Sequence, residues 1–246
     1  MIIALHARID THGALCYNKS KEGGEKVPRF YSIIENAEHR IGCTGQTVWV
    51  WNKNDIVLAK FKDLIYAYVA AISPCGDMFV VKSAEGRLAV YSLKTLSLIK
   101  KFRFSKVNYS QDDGFCFSPD GKYFLNVERQ KDDLHSAISI YNTSDFSLVS
   151  RLTVSDDMMI NQIQPVNDEY YVLGFDRGGN LMNNSYFIAK FRDNTIYEKV
   201  KITENEYNFY RMHLRQTLFG SMLDDGESVT RVHTLEKLWS FYNQKR

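Results

Sequence analysis

Two stretches of the chain carry the same order of short apolar segments and turns. Residues 66–99 and residues 111–149 each contain an alternating apolar segment that ends at Ser-Pro-x-Gly. A second apolar segment follows, then a third that ends in an aromatic residue (Tyr91, Tyr141), then a fourth with a Ser-Leu core. Proline presets φ at the second turn position, and glycine accepts the conformation that closes the turn. The pattern therefore predicts two consecutive units of four short strands.

The same template fits the rest of the chain with weaker turn signals. Units of four strands that recur about every 40–45 residues are typical of propeller blades. We therefore predict an all-β fold, a single β-propeller of five or six four-stranded blades that spans residues 1–246. The predicted repeats lie at residues 29–63, 64–105, 112–154, 158–203 and 207–242.

The last forty residues allow two interpretations. The template predicts a fifth blade, and the turn signal Asp224-Asp225-Gly226 supports it. The alternative is a small helical element near the C-terminus, because apolar residues in this region also recur every three to four positions. These residues are Tyr207, Tyr210, Leu214, Leu218 and Met222. We predict the blade, with strands at 209–214, 218–223, 229–234 and 237–241.

The first 28 residues are predicted to form a hairpin, with strands at 2–9 and 14–17. In a closed propeller, a strand from the opposite terminus commonly completes the last blade, which removes exposed strand edges. We therefore interpret residues 1–28 as the closure segment. The alternative is that the hairpin lies on the outside of the first blade.

The turn at Ser118-Pro119-Asp120-Gly121 and the strand endings identify a resemblance to a known family. The order of apolar strand, Ser-Pro-Asp-Gly, strand and aromatic-ended strand resembles the WD40-type β-propellers over residues 66–150, and less closely over 30–65. Trp51-Asn52, Tyr91-Ser92 and Tyr141-Asn142 stand where that family has Trp-Asp, and no Gly-His pair precedes a first strand. The resemblance implies divergent blades that are held together by apolar packing.

Charge and composition exclude several classes of protein. The chain has 31 Lys and Arg against 29 Asp and Glu, a formal charge of +2, so no gross field favours nucleic acid or an anionic membrane. No apolar stretch approaches the ~20 residues of a membrane helix, and the N-terminus lacks a secretory signal. The four cysteines show no Cys-x-x-Cys spacing and are interpreted as buried free thiols. We expect a cytoplasmic protein whose partner is another protein.

No catalytic residue, cofactor or metal site is predicted. The six histidines occupy no matching positions in two repeats, and Gly-x-Ser-x-Gly is absent. Trp49, Trp51 and Tyr91 are interpreted as core residues of alternating strands. The alternative is a propeller enzyme or a binder of a small molecule or metal, since acidic residues precede predicted first strands and could converge at the channel. These residues are Asp112, Asp113, Asp156, Asp157 and Glu206; solvated turns are the simpler interpretation.

The longest predicted loops, at 105–113, 129–136 and 176–184, belong to consecutive blades and should emerge on one face. Long polar and aromatic loops on a rigid scaffold are a common form of binding site. We predict a non-enzymatic scaffold or adaptor that binds a protein there, or alternatively an inhibitor that blocks one client. The predicted contact residues are Lys106, Asn108, Tyr109, Arg129, Lys131, Asp132, Asp133, Asp176, Arg177 and Asn180.

Overall fold

The structure of the chain, a computed structural model, consists mainly of four sheets, each with four antiparallel strands. It describes residues 6–9, 15–18, 30–103, 114–129, 136–155, 157–166, 169–178, 184–217, 239–240 and 243–244. We number the four sheets as blades 1 to 4 in chain order. Within each blade the strands lie side by side in the order in which they occur in the chain.

The sixteen strands of the blades lie within the first four predicted repeats. Blade 1 contains β3 (Ser32–Glu35), β4 (His39–Cys43), β5 (Val48–Asn52) and β6 (Val57–Phe61). Blade 2 contains β7 (Ala67–Ile72), β8 (Met78–Ser83), β9 (Arg87–Ser92) and β10 (Ser97–Arg103). Blade 3 contains β11 (Phe115–Phe117), β12 (Tyr123–Arg129), β13 (Ser136–Asn142) and β14 (Leu148–Thr153). Blade 4 contains β15 (Met158–Val166), β16 (Glu169–Asp176), β17 (Ser185–Arg192) and β18 (Thr195–Lys201).

The first strands of successive blades contact each other, β3 with β7, β7 with β11 and β11 with β15. Sheets that meet along their first strands fan outward from a common axis, which is the geometry of a β-propeller. The predicted all-β propeller with four-stranded blades is therefore confirmed. Its extent over residues 1–246 and a count of five or six blades stay predictions.

The Ser-Pro-x-Gly turns close the hairpins between first and second strands, as predicted. In blade 2 the Gly76 amide donates to the Ser73 carbonyl at 2.9 Å, and in blade 3 Gly121 donates to Ser118 at 2.9 Å. Both glycines have φ of +71°. Each serine hydroxyl also accepts the backbone amide that begins the second strand, at 3.2 Å from Met78 and 2.8 Å from Tyr123. The repeated tetrapeptide thus encodes the same turn twice.

Apolar packing between facing sheets forms the core, as the resemblance implied. One cluster joins blades 1, 2 and 3, and within it the Tyr91 ring lies 4.4 Å from Phe61 and 4.9 Å from Phe79 between centroids. A second cluster joins blades 3 and 4. Tyr91 is a core residue, as predicted. Trp49 and Trp51 instead stack on each other at 5.7 Å, half-buried, on the face of β5 opposite to the buried positions of the first cluster.

Charged and amide side chains are buried between blades 2 and 3. Lys82 is fully buried and donates its Nζ to the Val127 carbonyl of blade 3 at 2.6 Å. On β12, Asn126 and Glu128 are also fully buried and share a face with Phe124, a blade 3 member of the first cluster. We call the contact between blades 1 and 2 the apolar seam. We call the contact between blades 2 and 3 the polar seam, because it buries these polar side chains beside the rings of Phe102, Tyr141 and Phe146.

Glu128 is paired inside blade 3. The Arg151 guanidinium donates to Glu128 Oε1 at 2.7 Å, and the Ser139 hydroxyl donates to the same oxygen. Arg151 Nε also donates to Ser139 Oγ at 2.8 Å. In the described part of the chain, Glu128 Oε2 and both amide atoms of Asn126 have no hydrogen-bond partner. The buried polar atoms of the polar seam are therefore only partly hydrogen-bonded.

The strand predicted at 209–214 is wrong, because the chain forms helix α1 (Glu204–Thr217) there. A capping box begins the helix: the Glu206 amide donates to Thr203 Oγ1 at 3.2 Å, and the Thr203 amide donates to Glu206 Oε2 at 2.9 Å. Trp239 and Ser240 are also helical, which contradicts the strand predicted at 237–241. The helical alternative was the correct interpretation of these segments. The strands predicted at 218–223 and 229–234 lie outside the described residues.

Helix α1 packs on the face of blade 4 that points away from blade 3. Tyr207 and Tyr210 are buried against Leu173 and Ile188 of that sheet. The Tyr207 hydroxyl donates to the Asn161 side chain at 2.6 Å. Trp239 joins the same cluster and donates its indole N–H to the Glu198 carbonyl at 2.8 Å. A helix thus covers the surface on which the predicted fifth blade would have packed.

The N-terminal strands β1 (His6–Ile9) and β2 (Leu15–Asn18) pair as an antiparallel hairpin. This agrees with the predicted hairpin at residues 1–28. Its role as the segment that closes the ring stays a prediction.

Candidate functional site

One face of the propeller carries the connections between second and third strands and those from a fourth strand to the next first strand. We call it the upper face. It includes segments 44–47, 62–66 and 84–86 and the ends of β12 and β16. The opposite, lower face carries the Ser-Pro-x-Gly turns and the turns between third and fourth strands. Because all four blades have the same strand order, their upper edges lie on the same side of the ring.

Three of the ten predicted contact residues are described, and all three lie at this upper edge. Arg129 is the last residue of β12, and Asp176 is the last residue of β16, followed by Arg177. They occupy equivalent positions in neighbouring blades, as the loop argument requires. The other seven lie outside the described residues: Lys106, Asn108, Tyr109, Lys131, Asp132, Asp133 and Asn180.

Asp176 and Arg177 are partly engaged within blade 4. Asp176 accepts a hydrogen bond from Lys199 Nζ at 2.6 Å, so the charge of this carboxylate is already balanced. The Arg177 amide donates to the Asp157 carbonyl at 2.6 Å, and its guanidinium lies 3.1 Å from the Met159 sulfur. Arg177 is half-buried as a result. These contacts hold the start of the 177–184 loop in place beside the upper edge.

The connection between blades 1 and 2 presents apolar side chains that the sequence did not single out. Ile65 and Tyr66 are 56% and 58% exposed, although both are large and apolar. Tyr66 has φ of +55°, a left-handed conformation that costs a non-glycine residue about 1–2 kcal/mol. Strain of this kind clusters at ligand-binding segments. Six other described non-glycine residues, among them Leu96 and Phe146 in lower-face turns, also have positive φ, so the exposed ring and not the strain alone distinguishes Tyr66.

Hydrogen bonds hold this connection rigidly. The Ser83 hydroxyl donates to the Ile65 carbonyl at 2.7 Å, and the Ala84 amide donates to the Tyr66 carbonyl at 3.1 Å. Ala67 exchanges two backbone hydrogen bonds with Gly45 of blade 1, at 2.9 and 3.0 Å. The exposed side chains consequently stand on a fixed backbone.

Tyr31 extends the apolar surface across blade 1. It is 47% exposed, and its ring centroid lies 5.6 Å from that of Tyr68 at the start of blade 2's first strand. A Cβ on Gly45, which has φ of +85°, would approach the Tyr31 ring to 3.1 Å. Tyr31, Ile65 and Tyr66 all precede the first strands of blades 1 and 2 at the upper face, and we call these three residues the tyrosine patch.

The described acidic residues do not assemble a metal site. Glu206, expected at the channel mouth, is instead occupied in the capping box of α1. Asp157 is exposed and lies beside Arg177 through its backbone. No group of three His, Cys, Asp or Glu side chains that could hold a metal ion occurs among the residues that the structure describes. Asp112, Asp113 and Asp156 lie outside them.

The buried thiols are not poised for nucleophilic chemistry. Burial raises the pKa of the Cys43 thiol to about 12 and also raises that of Cys116. Cys75 is exposed, in the turn on the lower face. All three are free thiols; the burial predicted for them is confirmed for Cys43 and Cys116 and is wrong for Cys75. No helix in the described ranges is long and apolar enough to cross a bilayer.

Comparisons with known proteins identify the fold and nothing narrower. No protein-family model and no curated protein matches the chain. Among solved structures, hydrazine synthase of Kuenenia stuttgartiensis superposes with a TM-score of 0.59 and 17% identity, covering 77% of this chain and 53% of that one. The WD40 domain of Toxoplasma gondii coronin superposes with a TM-score of 0.55 and 14% identity, covering 77% of this chain and 53% of that one. U3-55K superposes with a TM-score of 0.54 and 10% identity, covering 71% of this chain and 52% of that one.

The chain spans about half the length of the structures that it matches. At these identities the likeness concerns the path of the backbone and not the residues of a site. It agrees with the four-stranded blades and the Ser-Pro-x-Gly turns. The chain has the fold of the WD40-type β-propellers.

Proposed function

We propose that this protein is a non-enzymatic scaffold or adaptor that binds a protein partner through its upper face. The single observation that carries the proposal is the tyrosine patch, which exposes large apolar side chains on a hydrogen-bonded backbone. Tyrosine and arginine are enriched among residues that dominate binding energy. The contact surface would continue onto Lys106, Asn108, Tyr109, Arg129, Lys131, Asp132, Asp133, Asp176, Arg177 and Asn180.

The mechanism would be surface complementarity. A patch whose backbone is already fixed loses little conformational entropy on binding, so more of the contact energy remains as affinity. Likeness to WD40 domains supports a binding role only in general terms, because function resides in a site and not in a fold.

Site-specific photocrosslinking in cells tests which face binds. A photoreactive phenylalanine analogue would be placed at Tyr31 or Arg177 on the upper face, and at Lys53 or Lys94 in lower-face turns as matched controls. We expect the upper-face positions to yield one or a few discrete protein adducts that the lower-face positions lack. Adducts only from the lower face, or none from either, would contradict the proposal.

Enzyme activity is the competing class. Elemental analysis of the purified protein would detect a bound metal ion at a stoichiometric level. Stoichiometric metal that is lost on substituting acidic residues at the channel would favour the propeller-enzyme alternative.

A further inference from the structure

A row of cationic side chains runs outward beside the tyrosine patch. Arg87 and Arg103 are directly opposite each other at the upper ends of β9 and β10. Like charges in opposed positions of a sheet repel each other and are destabilising. Arg103 is exposed and makes no ion pair within the described chain, whereas Arg87 forms a long ion pair with Glu85 at 3.7 Å. This repulsion would be relieved by an anion bound between the two guanidinium groups.

The two arginines lie on the same side of blade 2 as the tyrosine patch. Lys101, two positions before Arg103 on β10, donates its Nζ to the Asp63 carbonyl of the 62–66 connection at 2.9 Å. Side chains two positions apart on a strand share a face. Arg103 therefore points toward the connection that carries Ile65 and Tyr66.

The register gives the length of this row. Ala67 pairs with Ser83, Ser83 with Arg87 and Arg87 with Arg103, so three strand spacings separate the inner end from the outer end. At about 4.8 Å a spacing this is about 14 Å, the length of roughly four extended residues. An exposed lysine, Lys62, begins the same connection and has no ion pair within the described chain.

We propose that the tyrosine patch and the Arg87–Arg103 pair together bind a linear peptide segment of the partner, with an apolar or aromatic anchor on Ile65 and Tyr66 and an acidic residue within about four positions at the arginines. This inference rests on the proposed function and specifies its partner. The acidic residue of the peptide follows from charge complementarity to Arg87 and Arg103. The apolar anchor follows from the exposed Ile65 and Tyr66 side chains. The basic residues would also speed association at low salt.

Selection from a displayed library of random linear peptides on the full chain tests the inference. We expect enriched peptides to carry Asp or Glu within four positions of a large apolar residue. Enrichment of sequences without an acidic residue, or no enrichment at all, would overturn the inference.

Variants then locate the binding of a selected, fluorescently labelled peptide. Tyr66→Gly removes the ring and relaxes the strained backbone, so we expect affinity to fall at least about tenfold while the melting temperature does not fall. Arg103→Glu should weaken binding by about tenfold or more, and by less at high salt. Tyr66→Phe and Arg103→Lys should keep most of the affinity. Lys94→Glu, at the lower edge of the same blade, is the matched control and should change nothing.

The outcomes separate this inference from the proposed function. If upper-face photocrosslinks to a partner survive Tyr66→Gly and Arg103→Glu, the peptide mode is wrong and the docking role stands. If no upper-face crosslink forms, both are wrong.

Discussion

The two seams on either side of blade 2 differ in chemistry although they join similar sheets. The apolar seam packs Phe61, Phe79 and Tyr91 ring against ring. The polar seam buries Lys82 and Glu128 and leaves Asn126 without a hydrogen-bond partner in the described chain. Dense apolar packing stabilises through burial alone, whereas buried charge stabilises only when its partners are complete. The polar seam also packs the Phe102 ring against Tyr141 and Phe146, so we expect its weakness at the buried polar residues and not along the whole contact.

The largest expected effect is in the apolar seam. Phe79→Ala should lower the free energy of unfolding by about 3–5 kcal/mol, because it removes a fully buried ring between two others. Urea denaturation followed by circular dichroism measures this loss. Phe79→Leu is the control and should cost clearly less. A loss below about 1 kcal/mol for Phe79→Ala would show that this seam does not stabilise the fold through ring packing.

The next effect breaks the charge pair in the polar seam. Glu128→Ala should cost about 2–3 kcal/mol, below the range for fully buried pairs because the Arg151 side chain is 36% exposed and can regain water. Arg151→Ala and the double variant complete a thermodynamic cycle. Since the two residues share Ser139 as a partner, the losses should be less than additive. If the loss in the double variant equalled the sum of the two single losses, Glu128 and Arg151 would have no interaction energy.

A substitution in the same seam should stabilise the protein. Asn126→Leu replaces an unpartnered buried amide by an apolar side chain of similar size, so we expect a gain of about 1 kcal/mol in the free energy of unfolding. Thermal and urea unfolding would both report it. Asn126→Asp, which buries a charge at the same position, is the opposite control and should destabilise. A lower free energy of unfolding for Asn126→Leu would contradict the absence of hydrogen-bond partners for the Asn126 amide.

The smallest expected effect is on the rate at which a buried thiol reacts, and it leaves the fold intact. Cys43 lies in the apolar seam, where burial raises its pKa to about 12, so its thiolate is scarce at neutral pH. In a Cys16→Ser background, a thiol reagent should label Cys75 at once and Cys43 only as the protein opens. Peptide mass spectrometry identifies the labelled residue. Rapid labelling of Cys43 in the native protein would show that the seam opens readily.

The strands could be predicted because local signals and the fold agree. Ser73 and Ser118 begin turns whose geometry depends only on four residues, and alternation then sets the strands on either side. Helix α1 was predicted only as the alternative, because the repeat template was extended over Tyr207 and Tyr210, although their spacing and the Thr203–Glu206 pair are helical signals. Local chemistry was the better guide there.

The tyrosine patch could not be predicted in the same way. Nothing in the sequence shows that Ser83 fixes the Ile65 carbonyl or that Tyr66 adopts a positive φ, since both depend on strands that meet only in the fold. Lys82 gave no signal either. A lysine in a strand is expected at the surface, and only the arrival of blade 3 buries it.

Helix α1 has a consequence for how such a ring can change in size. The face of a blade is a flat sheet on which another blade can pack. In the described chain helix α1 covers that face of blade 4, so a further blade could not pack there in the same way. The helix is comparable to the capping unit of a solenoid. Duplication of a whole blade between β18 and α1 would leave the cover in place, so the number of blades could rise without a new covering element.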